Sequence, residues 1–450
     1  MTITLLKRLD NHINIKVENS SQLNTRLLGV LPSDDVMQQC MHCGMCLAVC
    51  PTYDMTKNER SSPRGRIKLI KSVARGEMEI TPTFAEEMNF CLDCQACETA
   101  CPAGVKYGSM VEAARVEIDN TSFRSWFYKF TKKFLLSTIV GSRSKLKFIS
   151  RLLRIYQNSF LRKLLHKSGV MKIFSANLEE IDKLSPTVSK EFSDDIIPEI
   201  TMPNGDIKYK TAFLSGCLMN VMFAEINKDT VDVLQNCSCE VFTPKDQICC
   251  GSLQAHNGDF DTAKKLAKHT IDVFSSYQFD YMVANSAGCG AFMKEYGHIL
   301  SDDVTYSEKA RNFSKRVKDM TEFLTENDVP LKLKSLAESV TYHDACHLAH
   351  TQKVTEQPRK ILKSIPGVNY QELEEASWCC GSAGIYNIVH YKESMIILER
   401  KMENIRKTNS KVVLTGNPGC LAQLRYGAIR FGVDVEVIHP VSYVKKAIAD

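Results

Sequence analysis

The chain has no apolar run near the ~20 residues that a membrane-spanning helix needs. The longest candidate is the short stretch FLLSTIVG at 134–141. The N-terminal stretch lacks the long apolar core and small-residue cleavage site of a secretory signal. The chain also lacks the G-x-G-x-x-G fingerprint of dinucleotide-binding folds, so nothing indicates a nicotinamide site. From these absences we expect a cytoplasmic protein, in a compartment that keeps thiols reduced.

Cysteine, by contrast, is abundant, since the 450 residues include 18 cysteines. In a reducing compartment, cysteines are expected as metal ligands rather than as disulfides. Isolated Cys237 and Cys239 fit the alternative of a cysteine that acts as a small buried hydrophobic residue. The regular spacing of the others does not fit it. The composition otherwise predicts a soluble globular protein, with 44% hydrophobic and 24% charged residues.

The spacing C-x-x-C-x-x-C-x-x-x-C-P occurs twice, as CMHCGMCLAVCP at 40–51 and CLDCQACETACP at 91–102. In bacterial ferredoxins, three cysteines of such a run hold one [4Fe–4S] cluster and the fourth holds the other cluster. We therefore predict two [4Fe–4S] clusters with crosswise ligands. Zinc is the less favoured alternative, because zinc sites use separated C-x-x-C pairs. The predicted ligands are Cys40, Cys43, Cys46 and Cys101 for the first cluster, and Cys91, Cys94, Cys97 and Cys50 for the second.

A helix is predicted between the two runs, beginning at Pro63 within SSPRGRIKLIKSVARGE at 61–77. Its basic side chains either soften the negative charge of thiolate-ligated clusters or form a solvated helix face. These side chains are Arg64, Arg66, Lys68 and Lys71.

The segment 120–178 contains no acidic residue but 13 Lys and Arg, so the rest of this +5 chain carries a net charge of −8. Apolar residues recur among them at helical spacing. Basic amphipathic helices bind anionic membrane surfaces or acidic partners. We therefore expect either a docking surface for a membrane or partner subunit, or a helical linker with a solvated basic face. No nucleic-acid recognition motif is present, and we expect no such partner.

The C-terminal half contains a duplication, because two sets of four cysteines stay in register at offsets of 129 to 131 residues. Strand–loop–helix patterns surround each set, which predicts two parallel α/β domains with the cysteines at the carboxyl ends of strands. Each set either binds a metal or cluster, or is a site that has lost its metal. The sets are Cys217, Cys249, Cys250 and Cys289, and Cys346, Cys379, Cys380 and Cys420.

Two histidines flank the first cysteine of the second set, in YHDACHLAH. His343 and His347 are expected to form hydrogen bonds around a metal site or to be plain polar packing residues. Asp344 is expected as a turn or cap residue rather than as a catalytic base. No catalytic residue is predicted anywhere in the chain.

This order of motifs resembles the iron–sulfur subunit of bacterial glycolate oxidase, and the resemblance covers essentially the whole chain. It implies that a FAD-containing partner oxidises a 2-hydroxy acid, glycolate, to glyoxylate, and that this subunit passes the electrons to a membrane acceptor. The isolated chain is then expected not to oxidise glycolate, and to lie in the cytoplasm or peripherally on the inner face of the membrane. The segments that carry the resemblance are SPRGRI (62–67), SGCLMN (215–220), AGCGAF (287–292), EYGH (295–298) and CCGSAGIYNI (379–388).

Several relatives share the paired CCG repeats, so these repeats leave the substrate open. The alternatives are a subunit for lactate utilisation or anaerobic glycerol-3-phosphate oxidation, and a heterodisulfide-reductase-like enzyme acting on a disulfide or quinone. Enzymes of this last kind use five cysteines per repeat for a non-cubane cluster. Here Ser286 and Asn417 replace the fifth cysteine, so an additional cluster in the repeats is an open possibility.

The predicted architecture is multidomain, with α+β and α/β parts. An α-helical ferredoxin-like domain with two clusters spans 1–119, and a basic helical linker spans 120–205. Two α/β CCG repeats follow, at 206–330 and 331–450.

Overall fold

The computed structural model describes most of the chain after the N-terminal stretch. Arg124 and Lys172 of the basic segment lie outside the described residues. The described residues are 37–121, 125–171, 177–327, 329 and 331–449.

The N-terminal part is helical and encloses the two cysteine runs. Helices α1 to α3 each begin with proline, whose fixed φ and missing N–H suit the first helical position. The Ser62 and Thr81 hydroxyls cap α2 and α3 by accepting hydrogen bonds from the first-turn amides. The helices are α1 (Pro51–Thr56), a 3₁₀ turn (Glu59–Ser61), α2 (Pro63–Ala74), α3 (Pro82–Asn89), α4 (Ala96–Thr99) and α5 (Tyr107–Asn120).

The linker is helical, as predicted, and ion pairs hold its helical segments to one another. Lys147 contacts the carboxylates of Asp194 (2.9 Å) and Asp195 (2.8 Å), and Arg143 also pairs with Asp194. The helical segments are α6 (Trp126–Lys133), a π-helical turn (Phe134–Ile139), α7 (Arg143–Asn158), α8 (Phe160–Ser168), α9 (Leu178–Leu184) and α10 (Ser193–Ile196).

The first repeat is built on a sheet with the strand order β1-β3-β2-β4-β5, in which only the β1–β3 pairing is antiparallel. Its strands are β1 (Ile200–Thr201), β2 (Tyr209–Phe213), β3 (Cys239–Phe242), β4 (Tyr281–Ala284) and β5 (Val317–Asp319). Its helices are α11 (Leu218–Met222), α12 (Ala224–Asn236), α13 (Ser252–His256), α14 (Phe260–Ser275), α15 (Ala287–Lys294), α16 (Tyr296–Ile299), α17 (Ser307–Ser314) and α18 (Met320–Glu326).

The second repeat has a fully parallel sheet with the order β7-β6-β8-β9. Its strands are β6 (Ser339–Tyr342), β7 (Asn369–Gln371), β8 (Val412–Leu414) and β9 (Glu436–Ile438). Its helices are a π-helical turn (His347–Thr351), α19 (Glu356–Ser364), α20 (Tyr386–Val389), α21 (Tyr391–Lys407), α22 (Pro418–Arg430) and α23 (Pro440–Ala447).

The two sheets have the same topology once the edge strand β1 is set aside, because each places its second strand first, followed by the first, third and fourth. The predicted fold class is thus confirmed, with helical N-terminal and linker parts and two α/β repeats. In such a sheet, ligands bind where the strand order reverses, here beside β2 and β6. The domain boundaries set from the sequence remain predictions.

One continuous apolar core joins the two repeats. It contains Phe213 and Val283 from the first sheet and Val340 and Leu414 from the second, all fully buried. Among the described residues, no helix combines the length and apolar character needed to cross a bilayer.

Candidate functional site

Five cysteines from both runs line one small cavity of about 40 Å³, namely the four assigned to the first cluster and Cys97 of the second set. The loop before α1 contributes three of them and must turn tightly, since Gly44 has a φ of +87°. A Cβ at Gly44 would lie 2.8 Å from the Arg64 guanidinium, which donates a hydrogen bond to the His42 carbonyl (2.8 Å). The structure thus brings together the set assigned to the first cluster, which is Cys40, Cys43, Cys46 and Cys101.

The second predicted set is also assembled crosswise. Burial and the neighbouring thiols of Cys94, Cys91 and Cys50 raise the pKa of Cys97 well above its usual value. The Tyr107 hydroxyl and the Asp93 backbone amide each donate to the Cys91 sulfur at 3.3 Å. Hydrogen bonds to sulfur are one means of setting a cluster's potential. The roles of these eight cysteines as ligands remain predictions.

A buried cation lies beside the second set and suits an anionic cofactor. Arg66 is 0% exposed, and its Nε and Nη1 donate to the Glu87 carbonyl (2.8 Å) and the Thr52 hydroxyl (3.0 Å). Its Nη2 makes no hydrogen bond, and the Glu87 carboxylate lies 4.0 Å from it. Since Arg66 acts electrostatically on Cys50 and a buried charge requires a counter-charge, the residues present fit a thiolate-ligated iron–sulfur cluster. Lys68, on the same helix, is exposed.

The cysteines of the first repeat lie at the carboxyl edge of its sheet. Cys217 follows β2, the adjacent pair follows β3, and Cys289 lies in the first turn of α15 after β4. Contact with Cys249 and burial raise the pKa of Cys217, and contacts with Cys249 and Cys289 raise the pKa of Cys250. The Gly251 amide donates to the Cys249 sulfur at 3.5 Å. All four predicted thiols therefore converge.

The second repeat places its four thiols in the same way. The sulfurs of Cys380 and Cys420 are 3.4 Å apart, and contact with Cys379 and burial raise the pKa of Cys346. The Gly381 amide donates to the Cys379 sulfur at 3.4 Å, which matches the contact in the first repeat. Asn417, which stands where a fifth cysteine would lie, has its Nδ2 3.7 Å from the Cys420 sulfur.

The second ferredoxin-type site and the second repeat adjoin each other. Burial and the Cys346 thiol raise the pKa of Cys94, and the Cys94 thiol in turn acts on Cys379. Because sequence spacing says nothing about contacts between modules, this adjacency could not be predicted. It places three thiol sets in sequence: the first ferredoxin-type set, the second, and the set of the second repeat.

A histidine cluster joins three modules beside this contact. The His256 ring lies 2.6 Å from the Glu112 carboxylate and 3.2 Å from that of Asp93, and 4.8 Å from the ring of His347. Burial disfavours the charged imidazole, but the carboxylates of Glu112 and Asp93 outweigh burial and raise the pKa of His256 to about 10. Arg115 donates to the His256 carbonyl at 2.8 Å. We call this cluster the clasp; the sequence alone did not predict it, because its members lie far apart in the chain.

The histidines that flank Cys346 have separate surroundings. His347 hydrogen-bonds the Asp93 carbonyl through Nε2 at 2.9 Å, whereas His343 faces Cys380 and Cys420. Asp344, expected as a turn or cap residue, instead forms a two-pronged ion pair with Arg359, with both N–O distances at 2.9 Å.

Some basic side chains of the linker pair with carboxylates, and others do not. Five of its cations are exposed and pair with no carboxylate among the described residues: Lys133, Lys145, Arg151, Lys163 and Lys167. Beside them lie exposed apolar side chains, which on α7 share one face: Phe148, Ile149, Leu152 and Ile155. On α6 the Trp126 and Phe130 rings stack at 5.4 Å, and Trp126 is 75% exposed. We call these exposed cations and apolar residues of α6 to α8 the linker face.

Fold and sites together define a class, namely iron–sulfur proteins that join a dicluster ferredoxin-type domain to two cysteine-rich α/β repeats. The 4Fe-4S dicluster domain family matches residues 36–105, and the cysteine-rich domain family matches 211–294 and 340–425. The linker region of the glycolate oxidase iron-sulfur subunit matches residues 128–185.

Relatives define the particular family. A probable glycolate oxidase iron-sulfur subunit of Bacillus subtilis is 39% identical over 88% of this chain and 90% of the relative. The glycolate oxidase iron-sulfur subunit of Escherichia coli is 28% identical over 88% and 91%. Lactate utilization protein A of Oceanobacillus iheyensis is 31% identical over 51% of this chain and 94% of the relative. The chain belongs to the glycolate oxidase iron-sulfur subunit family, which confirms the resemblance predicted from the sequence.

Proposed function

We propose that the chain is the electron-transfer subunit of a glycolate oxidase complex in the cytoplasm. A FAD-containing partner oxidises glycolate to glyoxylate, and this chain passes the electrons toward a membrane acceptor. Each bound [4Fe–4S] cluster takes one electron at a time, so two clusters can divide a two-electron oxidation. The observation that carries this proposal is the packing of Cys94 in one cluster with Cys379 of the second repeat, which supports a continuous route between modules.

The residues of the chain hold the clusters and offset their charge, and they do not themselves oxidise the substrate. Thiols from both runs hold each ferredoxin-type cluster crosswise, which locks the two loops together. Arg66 and the donors to the Cys91 sulfur offset the negative charge of the second cluster.

Replacing Cys94 by Ser in the anaerobically purified complex tests this route. Glycolate is expected to reduce the partner flavin as before, while reduction of the acceptor falls at least about tenfold, because the second cluster loses a ligand. Cys237→Ser is the matched control, since Cys237 is fully buried and lies outside all four thiol sets. Undiminished acceptor reduction in Cys94→Ser, or glycolate oxidation by the flavin-free chain, contradicts the proposal.

Iron and sulfide counting sets the number of clusters. About eight irons per chain correspond to the ferredoxin-type sites alone, and a larger number means that the repeats also carry metal.

The linker face is proposed to bind the anionic inner surface of the cell membrane. Its exposed cations complement anionic lipid headgroups, each contributing roughly 1 kcal/mol near such a surface, and its aromatic and aliphatic side chains suit the interface. An exposed apolar surface of this kind marks an interaction site.

Vesicle flotation of the full complex tests this attachment. Binding is expected to vesicles with anionic lipid at low salt, and to weaken strongly with neutral vesicles or for Phe148→Asp. Phe274→Leu, in the buried core of the first repeat, serves as a control. If flotation is absent but Phe148→Asp releases the flavoprotein, the linker face binds the partner subunit instead.

Lactate is the second candidate substrate, because the relative from Oceanobacillus iheyensis is named for lactate utilisation. The two candidate substrates, glycolate and lactate, are distinguished by comparing how fast each reduces the flavin in the co-purified complex.

A further inference from the structure

Among the described residues, the His343 side chain finds no partner with the geometry of a hydrogen bond, although it is almost completely buried and the Ala376 backbone lies near it. The residue is 1% exposed, and neither Nδ1 nor Nε2 makes a hydrogen bond. Its backbone is fixed, since its amide donates to the Leu414 carbonyl at the end of β8 (2.8 Å). Buried polar groups are nearly always hydrogen-bonded, so each exception requires an explanation.

The imidazole faces two of the four cysteines of its repeat. The ligand atoms of His343, Cys380 and Cys420 all lie within 4.8 Å of one another, and the two sulfurs are 3.4 Å apart. With metal–sulfur and metal–nitrogen bonds of about 2.3 and 2.0 Å, ligands of one tetrahedral metal lie roughly 3.5 Å apart. Small adjustments would therefore bring the three groups around a single metal atom.

The charge around this site favours an anionic group. Lys401 is 0% exposed, and its ammonium donates to the carbonyls of Glu375 and Ala376. In the described part of the chain, no carboxylate forms an ion pair with it. The thiols of Cys379 and Cys380 lie close enough to act on this ammonium, so a thiolate-ligated metal supplies the counter-charge that burial demands.

The first repeat lacks both features. Leu214 stands at the position of the histidine, at the same 129-residue offset as the first cysteines of the two sets. Thr270 stands at the position of the lysine, because the helix residues that approach the two CCG glycines, Ala263 and Ser394, are 131 residues apart. The nitrogen donor and the buried cation are therefore specific to the second repeat.

We propose that the second repeat holds a thiolate-ligated iron centre to which His343 is a nitrogen ligand, beside Cys380 and Cys420. Iron is favoured over zinc because Cys379 of this set packs in one cluster with Cys94 of the second ferredoxin-type set, where a redox-active metal extends the electron route. A neutral imidazole in place of a thiolate raises the reduction potential of an iron–sulfur centre. This ligand assignment holds whichever 2-hydroxy acid is oxidised.

The test is pulsed EPR on the full chain, purified anaerobically with and without [¹⁵N]histidine. The wild type is expected to show a nitrogen coupling that changes with histidine labelling. His343→Leu, which installs the residue of the first repeat, abolishes the coupling and releases this iron to a chelator at least about tenfold faster. The ferredoxin-type signals remain.

Two further variants separate ligation from folding. His343→Cys is expected to lose the coupling but retain the iron, because a thiolate replaces the imidazole. His439→Leu leaves the coupling intact, since His439 is buried but bonded at both ring nitrogens, to Asn285 and Val441. The proposal is overturned if the iron-loaded wild type shows no histidine coupling, if His343→Leu keeps the same spectrum and iron content, or if the site holds zinc.

Discussion

At the scale of single residues, buried charges and glycines with left-handed backbones shape the sites. Arg66 makes no hydrogen bond at its Nη2 among the described residues, has the Glu87 carboxylate 4.0 Å away and acts electrostatically on Cys50, an arrangement that favours a negatively charged cofactor. Gly381 and Gly251, which end the CCG turns, have φ values of +87° and +96°. Each also presents its amide to a cysteine sulfur, so backbone shape and sulfur hydrogen bonding depend on one residue.

Arg66→Leu is expected to make the second ferredoxin-type cluster harder to reduce, because the positive charge that stabilises the added electron is lost. The shift is expected to reach about −60 mV, a tenfold change for a one-electron couple. An EPR-monitored redox titration measures it. Lys68→Leu, exposed on the same helix, is expected to change the potential little, and equal shifts in both variants would show that only overall charge matters.

Gly381→Ala is expected to destabilise the second repeat by about 1–3 kcal/mol and to lower its metal content. Residue 381 has a left-handed backbone, which alanine adopts less readily than glycine. An added Cβ would also lie 2.7 Å from the Ser394 carbonyl oxygen. Gly432→Ala separates the two causes, since Gly432 has a φ of +60° but no atom within 4 Å of an added Cβ. Thermal unfolding under argon provides the comparison, and equal losses in both variants would exclude the close contact as the cause.

At the scale of elements, the spacing within each cysteine run predicted the ferredoxin-type sets, because ligand spacing within a loop is a local property. The repeated register predicted the two sets of the α/β repeats, and the roles of all these thiols as ligands remain predictions. The duplication likewise followed from register and is visible in the matched strand orders. The pairing of linker cations with Asp182, Asp194 and Asp195 could not be predicted from the sequence. Those carboxylates lie outside the basic segment in sequence, so only the folded chain shows which charges remain exposed.

The clasp between α13 and α5 gives a pH-dependent prediction for His256→Gln. The pKa of His256 is raised to about 10 in the folded chain, against about 6.5 when unfolded. Its stabilising effect is therefore complete below about pH 6.5 and is lost as the pH rises toward 10. The variant is expected to unfold at a lower temperature than the wild type at pH 6, with the difference vanishing near pH 10.

His269→Gln is the control for this experiment, because the half-buried His269 ring hydrogen-bonds a carbonyl, that of Asp246, at 2.9 Å and forms no ion pair within the described residues. A His256→Gln deficit that is constant with pH would show that the ring acts through packing alone.

At the scale of the whole molecule, the two repeats form one body, with the second ferredoxin-type site against them. Their apolar core is continuous across both sheets, and the His439 ring bonds the Asn285 carbonyl across the boundary at 2.7 Å. Phe213→Ala is expected to cost about 3–5 kcal/mol and to lower amide protection from hydrogen exchange in both sheets. Ile429→Ala, 85% exposed, is expected to leave protection unchanged, and loss confined to the first sheet would mean that the repeats unfold separately.

We predict that the two cysteine runs exchange ligands to hold a pair of clusters that feed the repeats. The most direct measurement is EPR and Mössbauer spectroscopy of anaerobically prepared single Cys→Ser variants. Cys50→Ser is expected to alter the same cluster as Cys94→Ser, and Cys101→Ser the same cluster as Cys43→Ser. If Cys50→Ser instead alters the cluster affected by Cys43→Ser, or if the wild type is colourless and contains zinc, the two runs do not hold a pair of iron–sulfur clusters crosswise.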